Sequence, residues 1–332
     1  MQRQERITLL QKLEEERKSK VIVYITSDRQ PPQLCSASIA LDVLPLFYSQ
    51  LKVMGKAKKI SLCIKSAGGN LDTPWPLVNL IREYCDELEV IVLDKALSAA
   101  TLIALGANKI IMGPFSQLSP VDPRGEYVTK DGKKITLEVE DIIGFISLAK
   151  EKIGIKEQSA LSEILKSLVG DVPTYILGSV NRTHSLIRRI SENLLRLHLK
   201  GKNKGKQVRS IVTHLTERLY FHNHFVNRKE AKEIIGFAEM IEYASKDLED
   251  LINDITILYN DTLEITKPFE PLKILGEKDK IDYISRRALI ESTNKTNIFE
   301  SHLQMVKIPV QPLPQVSMNI TYQGWLERGD GQ

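Results

Sequence analysis

Between residues 21 and 114 the chain alternates between β-branched runs and segments with helical spacing, and this constrains its fold more than any other feature. The run VIVYITS (21–27) precedes a helical pattern over 36–54, and KISLCIKS (59–66) precedes another over 74–86. EVIVLDKAL (89–97), the small-residue helix 98–107 and NKIIMGP (108–114) follow. Four strands separated by helices predict an α/β fold with a parallel sheet covered on both faces. Chemistry in such a sheet collects at the C-terminal ends of its strands.

The pattern changes beyond Pro114. Residues 125–139 alternate around Asp131-Gly132, which predicts a hairpin. Helices are then expected over 139–153, 157–168, 172–198, 206–219 and 239–258. RLYFHNHF (218–225) reads as a short strand, followed by Asn227 as an N-cap with Glu230 three positions on. Residues 263–332 are strand-leaning and interrupted by five prolines; they read as an appendage without a definite structure. The expected order is an N-terminal helix over 1–20, a main domain over 21–236, a helix over 237–262 and the appendage.

Composition narrows the function. With 42% hydrophobic and 27% charged residues in a 332-residue chain, a disordered tail is excluded. The net charge of +4 does not by itself imply a nucleic-acid or membrane partner. Nine of the basic residues lie in 182–209 against one acid, Glu192, but no aromatic residue is interleaved among them. That segment reads as a solvated helix face and a lysine-rich loop, so nucleic-acid binding is not expected. Cys35, Cys63 and Cys85 form no CxxC pair and are odd in number, which suits a reducing, cytoplasmic setting. The charged start MQRQERITLLQKLEEER lacks the apolar core of a secretory signal, and no apolar stretch reaches the roughly 20 residues of a membrane span.

Two strand-to-helix turns bear chemistry. Ser66-Ala67-Gly68-Gly69-Asn70 closes the second strand, and its glycines permit a sharp turn with exposed amides. It is either a plain turn or an anion cradle; a dinucleotide loop is disfavoured because GxGxxG is absent. Leu97-Ser98-Ala99-Ala100-Thr101 closes the third strand and opens a helix, so Ser98 is either a helix cap or an exposed nucleophile. Acyl transfer needs a nucleophile together with donors aimed at the developing oxyanion, and adjacent turns offer both.

Those turns carry a resemblance. IKSAGGNLDTPWPLVNLIRE (64–83), ALSAATLIALGANKIIMGPFSQLSPVDPR (96–124) and, less closely, LTERLYFHNHFVNRKEAKEIIG (215–236) resemble the serine dehydrogenase proteinase family. That family lies within the Clp protease/crotonase superfamily and is related to signal peptide peptidase A. The resemblance implies a fold of repeated ββα units over 21–236, serine peptidase activity, a peptide or protein substrate, and a homo-oligomer; the helical spacing after residue 139 makes the C-terminal half largely helical, and no cofactor or metal is expected. The resemblance also implies Ser98 as nucleophile, with Gly68, Gly69 and Ala99 forming the oxyanion hole.

The general base is open. The resemblance points to His222, with Asp122, held between Pro120 and Pro123, to orient it; Lys150 is the alternative, as in a Ser-Lys dyad. The sequence departs from the family pattern at Ala67 in place of proline, at Ala99-Ala100 in place of Gly-Gly, and at Asn223 in place of an acid. Those departures leave room for a degraded crotonase-fold scaffold or binding protein, and the shared oxyanion geometry for acyl-CoA chemistry. His222 and His224 alternate along a strand, but no third ligand follows at a metal-binding spacing.

Overall fold

The computed structural model describes residues 2–121, 124–128, 132, 134–201, 203–219, 224–309 and 315–328. Its helices are α1 (Gln2–Arg17), α2 (Pro32–Cys35), α3 (Leu44–Met54), α4 (Pro74–Arg82), α5 (Ala99–Leu105), α6 (Val139–Ser147), α7 (Gln158–Asp171), α8 (Thr174–Arg196), α9 (Lys204–Thr213), α10 (Arg228–Glu230), α11 (Lys246–Thr262) and α12 (Pro271–Leu275). Its strands are β1 (Lys20–Thr26), β2 (Ala57–Ser66), β3 (Cys85–Ala96), β4 (Lys109–Met112), β5 (Gln117–Leu118), β6 (Arg124–Val128), β7 (Lys134–Glu138), β8 (Val226–Asn227), β9 (Ile241–Tyr243), β10 (Lys280–Ser292), β11 (Thr296–Ile308) and β12 (Gln315–Arg328). The fold is mixed α/β, as the alternation predicts.

The chain forms two compact units, residues 1–118 with 226–332, and residues 119–225. In the first, one sheet runs in the order β12-β11-β10-β1-β2-β3-β4-β9. The strands β1, β2, β3, β4 and β9 are mutually parallel, whereas β10 joins β1 antiparallel and continues through β11 to β12. The segment 263–332 is therefore not an appendage: its strands extend the main sheet from the free edge of β1. The reason is nonlocal, because burial of Leu289 and Ile290 depends on pairing with a strand more than 260 residues earlier.

Helices cover both faces of the sheet. On one, Leu10 and Leu13 of α1 and Ile252, Ile255 and Tyr259 of α11 pack on Val21, Val23, Cys63 and Ile91. On the other, the ring of Phe47 in α3 meets Tyr24 of β1 edge-on at 5.5 Å. The N-terminal helix is thus a core element and not a separate segment. Tyr259 hydroxyl and the Arg6 guanidinium both reach Glu291 of β10 inside this core.

The second unit holds the expected hairpin, β6 against β7, and the helices α6 to α9. Val172, Ile176 and Val180 form its apolar cluster with Ile142, Leu168 and Leu177. Arg182, Arg189, Arg196 and Arg209 are exposed, while Arg188 pairs with Glu217, so much of the basic segment is a solvated face.

Candidate active site

Strand β2 ends on Ser66 and β3 on Ala96, so both turns singled out in the sequence open on the same edge of the sheet. Near that edge the pairing is irregular: Ile64 faces Val92, but Ser66 faces Ala96, so two residues of β2 span four of β3. A bulge of this kind redirects the strand end. Beyond it, Lys95 and Ala96 pair with β5, which in turn pairs with β8, so the sheet branches at this edge. Leu97 N–H donates to Ser66 O at 3.0 Å and joins the two turns directly.

Ser98 follows with φ 51° and ψ −115°, a conformation that a side chain disfavours by about 1–3 kcal/mol. It makes no capping hydrogen bond to α5, so the cap reading does not describe it. The strain is held in place by neighbours on both sides. Ala100 N–H bonds to Leu97 O at 2.9 Å, and the Thr101 hydroxyl bonds to Ala96 O at 2.6 Å. A strained serine between a strand and a helix is the geometry that presents a nucleophile. Ser98 is half-buried, and Ala99 is fully buried behind it.

The glycine turn lies against this serine. A Cβ on Gly68 would stand 2.8 Å from the Ser98 Cβ, 2.9 Å from Leu97 O and 3.4 Å from Ala99 N. Gly68 has φ 106°, and its N–H donates to the Ser66 hydroxyl at 3.0 Å. Its carbonyl accepts Ile39 N–H at 2.9 Å, and Asn70 N–H donates to Ile39 O at 2.8 Å. Among the described residues, the amides of Gly69 and Ala99 have no hydrogen-bond partner. Of the three amides expected in an oxyanion hole, the one of Gly68 is thus already engaged.

Ion pairs line the strand ends. Lys65 pairs with Asp94, and Lys95, only three residues before Ser98, pairs with Asp28. Burial raises the Asp28 carboxyl, but Lys95 and then Lys65 outweigh it and hold it below its ordinary value.

The structure brings together Ser98, Gly68, Gly69 and Ala99. Asp122 and His222, with Asn223, lie outside the described residues. Lys150 is exposed, on a π-helical turn of the second unit. His302 is not in irregular chain: it lies on β11, 3.0 Å from Glu300. His184 is largely enclosed, and burial holds its imidazole below the ordinary value. Sequence reasoning reached Ser66 only as the start of the glycine turn, and did not reach Thr26 and Ile39 as parts of the site. A hydroxyl at the end of each of two neighbouring strands was the available signal for Thr26 and Ser66; for Ile39 there was none.

The chain is 27% identical over 241 residues to an uncharacterized protein of Methanocaldococcus jannaschii, covering 69% of this chain and 71% of that one. Among solved structures it is similar to a serine-to-alanine mutant of the 1510-N membrane-bound stomatin-specific protease, at TM-score 0.40 and 16% identity over 70% of this chain and 84% of that one. It is also similar to ClpP1 from Listeria monocytogenes, at TM-score 0.37 and 16% identity over 72% and 99% of the two chains. Residues 1–141, which carry Ser98 and both glycines, match the family of ClpP-like SDH-type serine proteinases, the same family that the motifs resemble.

Proposed function

We propose that the chain is a serine peptidase that cleaves peptide bonds through an acyl-enzyme on Ser98. The observation that carries this reading is the contact between a strained Ser98 and the Gly68-Gly69 turn, with the amides of Gly69 and Ala99 having no partner among the described residues. Attack by the Ser98 hydroxyl on a carbonyl carbon moves charge to the carbonyl oxygen. Two preorganised N–H donors stabilise that charge more than they stabilise the ground state, which lowers the barrier. The match over residues 1–141 supports the same chemistry.

In this reading His222 takes the hydroxyl proton and returns it to the leaving amine, with Asp122 orienting the imidazole; Lys150 is the alternative base. The chain works in the cytoplasm as a homo-oligomer, without metal or cofactor. Among the described residues no helix is long and apolar enough to cross a membrane.

A fluorophosphonate probe tests the nucleophile. The wild-type chain takes the probe at Ser98, and Ser98→Ala does not. His222→Gln slows labelling at least 10²-fold while Lys150→Met leaves it unchanged, or the reverse if lysine is the base. A folded wild-type chain that takes no probe favours the scaffold reading.

A further inference from the structure

We propose that Ser66, seated by Thr26, is a positioning residue that sets the glycine turn so that Gly69 N–H, and not Gly68 N–H, is the turn's donor to the oxyanion. This rests on the reading of Ser98 as nucleophile. Strands β1 and β2 run parallel with Ile25 opposite Lys65, which places Thr26 and Ser66 side by side at the strand ends. Their hydroxyl oxygens are 2.7 Å apart, and both residues are buried. From there the Ser66 hydroxyl accepts Gly68 N–H at 3.0 Å, and the Ser66 carbonyl accepts Leu97 N–H at 3.0 Å. One residue therefore grips both the oxyanion turn and the residue preceding the nucleophile.

The arrangement has a chemical consequence. A glycine turn is the most mobile kind of backbone, whereas transition-state stabilisation depends on donors that are already aimed. Fixing Gly68 N–H from below and Gly68 O through Ile39 leaves Gly69 N–H as the only amide of the pair that can face substrate. A shift of about 1 Å in such a donor can slow reaction by about 10²-fold. A buried serine is needed because an apolar side chain at the same place would leave Gly68 N–H without a partner.

The variants Ser66→Ala, Thr26→Val and Thr26→Ser separate this role from plain packing. Thr26→Val keeps the shape and removes the hydroxyl; Thr26→Ser keeps the hydroxyl. With a fluorophosphonate probe, the maximal labelling rate at Ser98 should fall about 10²-fold in Ser66→Ala and about 10-fold in Thr26→Val. The half-saturating probe concentration should stay within 3-fold, and Thr26→Ser should recover the wild-type rate. These fold-changes follow from misaiming Gly69 N–H, whose bond to the oxyanion forms only in the transition state. Equal maximal rates in folded wild type and Ser66→Ala overturn the proposal.

Amide exchange over residues 64–72, followed by mass spectrometry, keeps this test separate from the nucleophile itself. Ser66→Ala should speed exchange there at least 10-fold, whereas Ser98→Ala should not. If the wild type takes no probe, the peptidase reading fails, and exchange alone decides the clamp: unchanged exchange in Ser66→Ala overturns it.

Discussion

Gly68 lies so close to Ser98 that a methyl group on the glycine would stand 2.8 Å from the serine Cβ. The same methyl would meet Leu97 O at 2.9 Å, and Gly68 has φ 106°. Backbone cannot give way as a flexible side chain can. Gly68→Ala is therefore expected to lower stability by about 1–3 kcal/mol and to slow probe labelling of Ser98 by about 10²-fold. Urea unfolding and a labelling time course measure the two effects separately.

Burial of the Arg6–Glu291 pair predicts a different response. Glu291 accepts from Arg6 at 2.7 and 3.0 Å, from Tyr259 at 2.6 Å and from Thr296 at 2.6 Å, and its side chain is 0% exposed. Glu291→Leu leaves the Arg6 cation buried and unpaired, and should cost about 3–5 kcal/mol in urea unfolding. The double variant Arg6→Met, Glu291→Leu should recover most of that loss, because it removes both charges. A double variant no more stable than Glu291→Leu alone would contradict this account.

Glu89 should contribute to acid sensitivity. Burial raises this carboxyl, but hydrogen bonds from Arg17 and Ser61 and the charges of Arg17 and Lys59 outweigh burial and hold it below its ordinary value of 4.5. A carboxyl lowered by folding contributes stability that is complete above its unfolded value and is lost as pH falls through the folded one. Thermal midpoints should drop as pH falls below about 4.5, and the Glu89→Gln curve should be flatter over that range while lying lower at neutral pH. Parallel curves for the two proteins would assign the acid loss elsewhere.

The thiols should resist alkylation. Burial pushes Cys85 up to about 11 despite the nearby Arg82, and it also raises Cys35 and Cys63. Only the thiolate reacts, so in the native protein at pH 8 iodoacetamide should modify Cys85 at least 10²-fold more slowly than a free thiol. All three should react at once in urea. Rapid native labelling at Cys85 would show that its surroundings are more open than this.

The four parallel strands of residues 20–112 were legible because each is buried on both faces and so reads as an apolar run, with the helices between them marked by their spacing. Ser98 was legible as a residue of interest, but not as a strained one: φ 51° comes from the hydrogen bonds that hold Leu97, Ala100 and Thr101 around it. The helix expected over 239–258 forms instead at Lys246–Thr262. Its start moves because Ile241–Tyr243 pairs with β4 and the Ser245 hydroxyl caps the new end through Leu248 N–H at 3.3 Å. Helical spacing was correct for the face of α11 and silent about the competing strand.

By itself the sequence determined the α/β class, the two turns that meet at one sheet edge, and Asn227 as an N-cap, which accepts from Lys229 and Glu230 N–H at 3.0 Å each. Each of these depends on residues within a few positions of one another, where spacing and local sterics suffice. Only the tertiary structure decided that β10, β11 and β12 extend the same sheet, that Thr26 supports Ser66, and that Ile39 clamps the glycine turn. Those outcomes depend on which distant strand supplies the partner for a buried polar group, and the chain encodes that choice in its overall packing, not in any local motif.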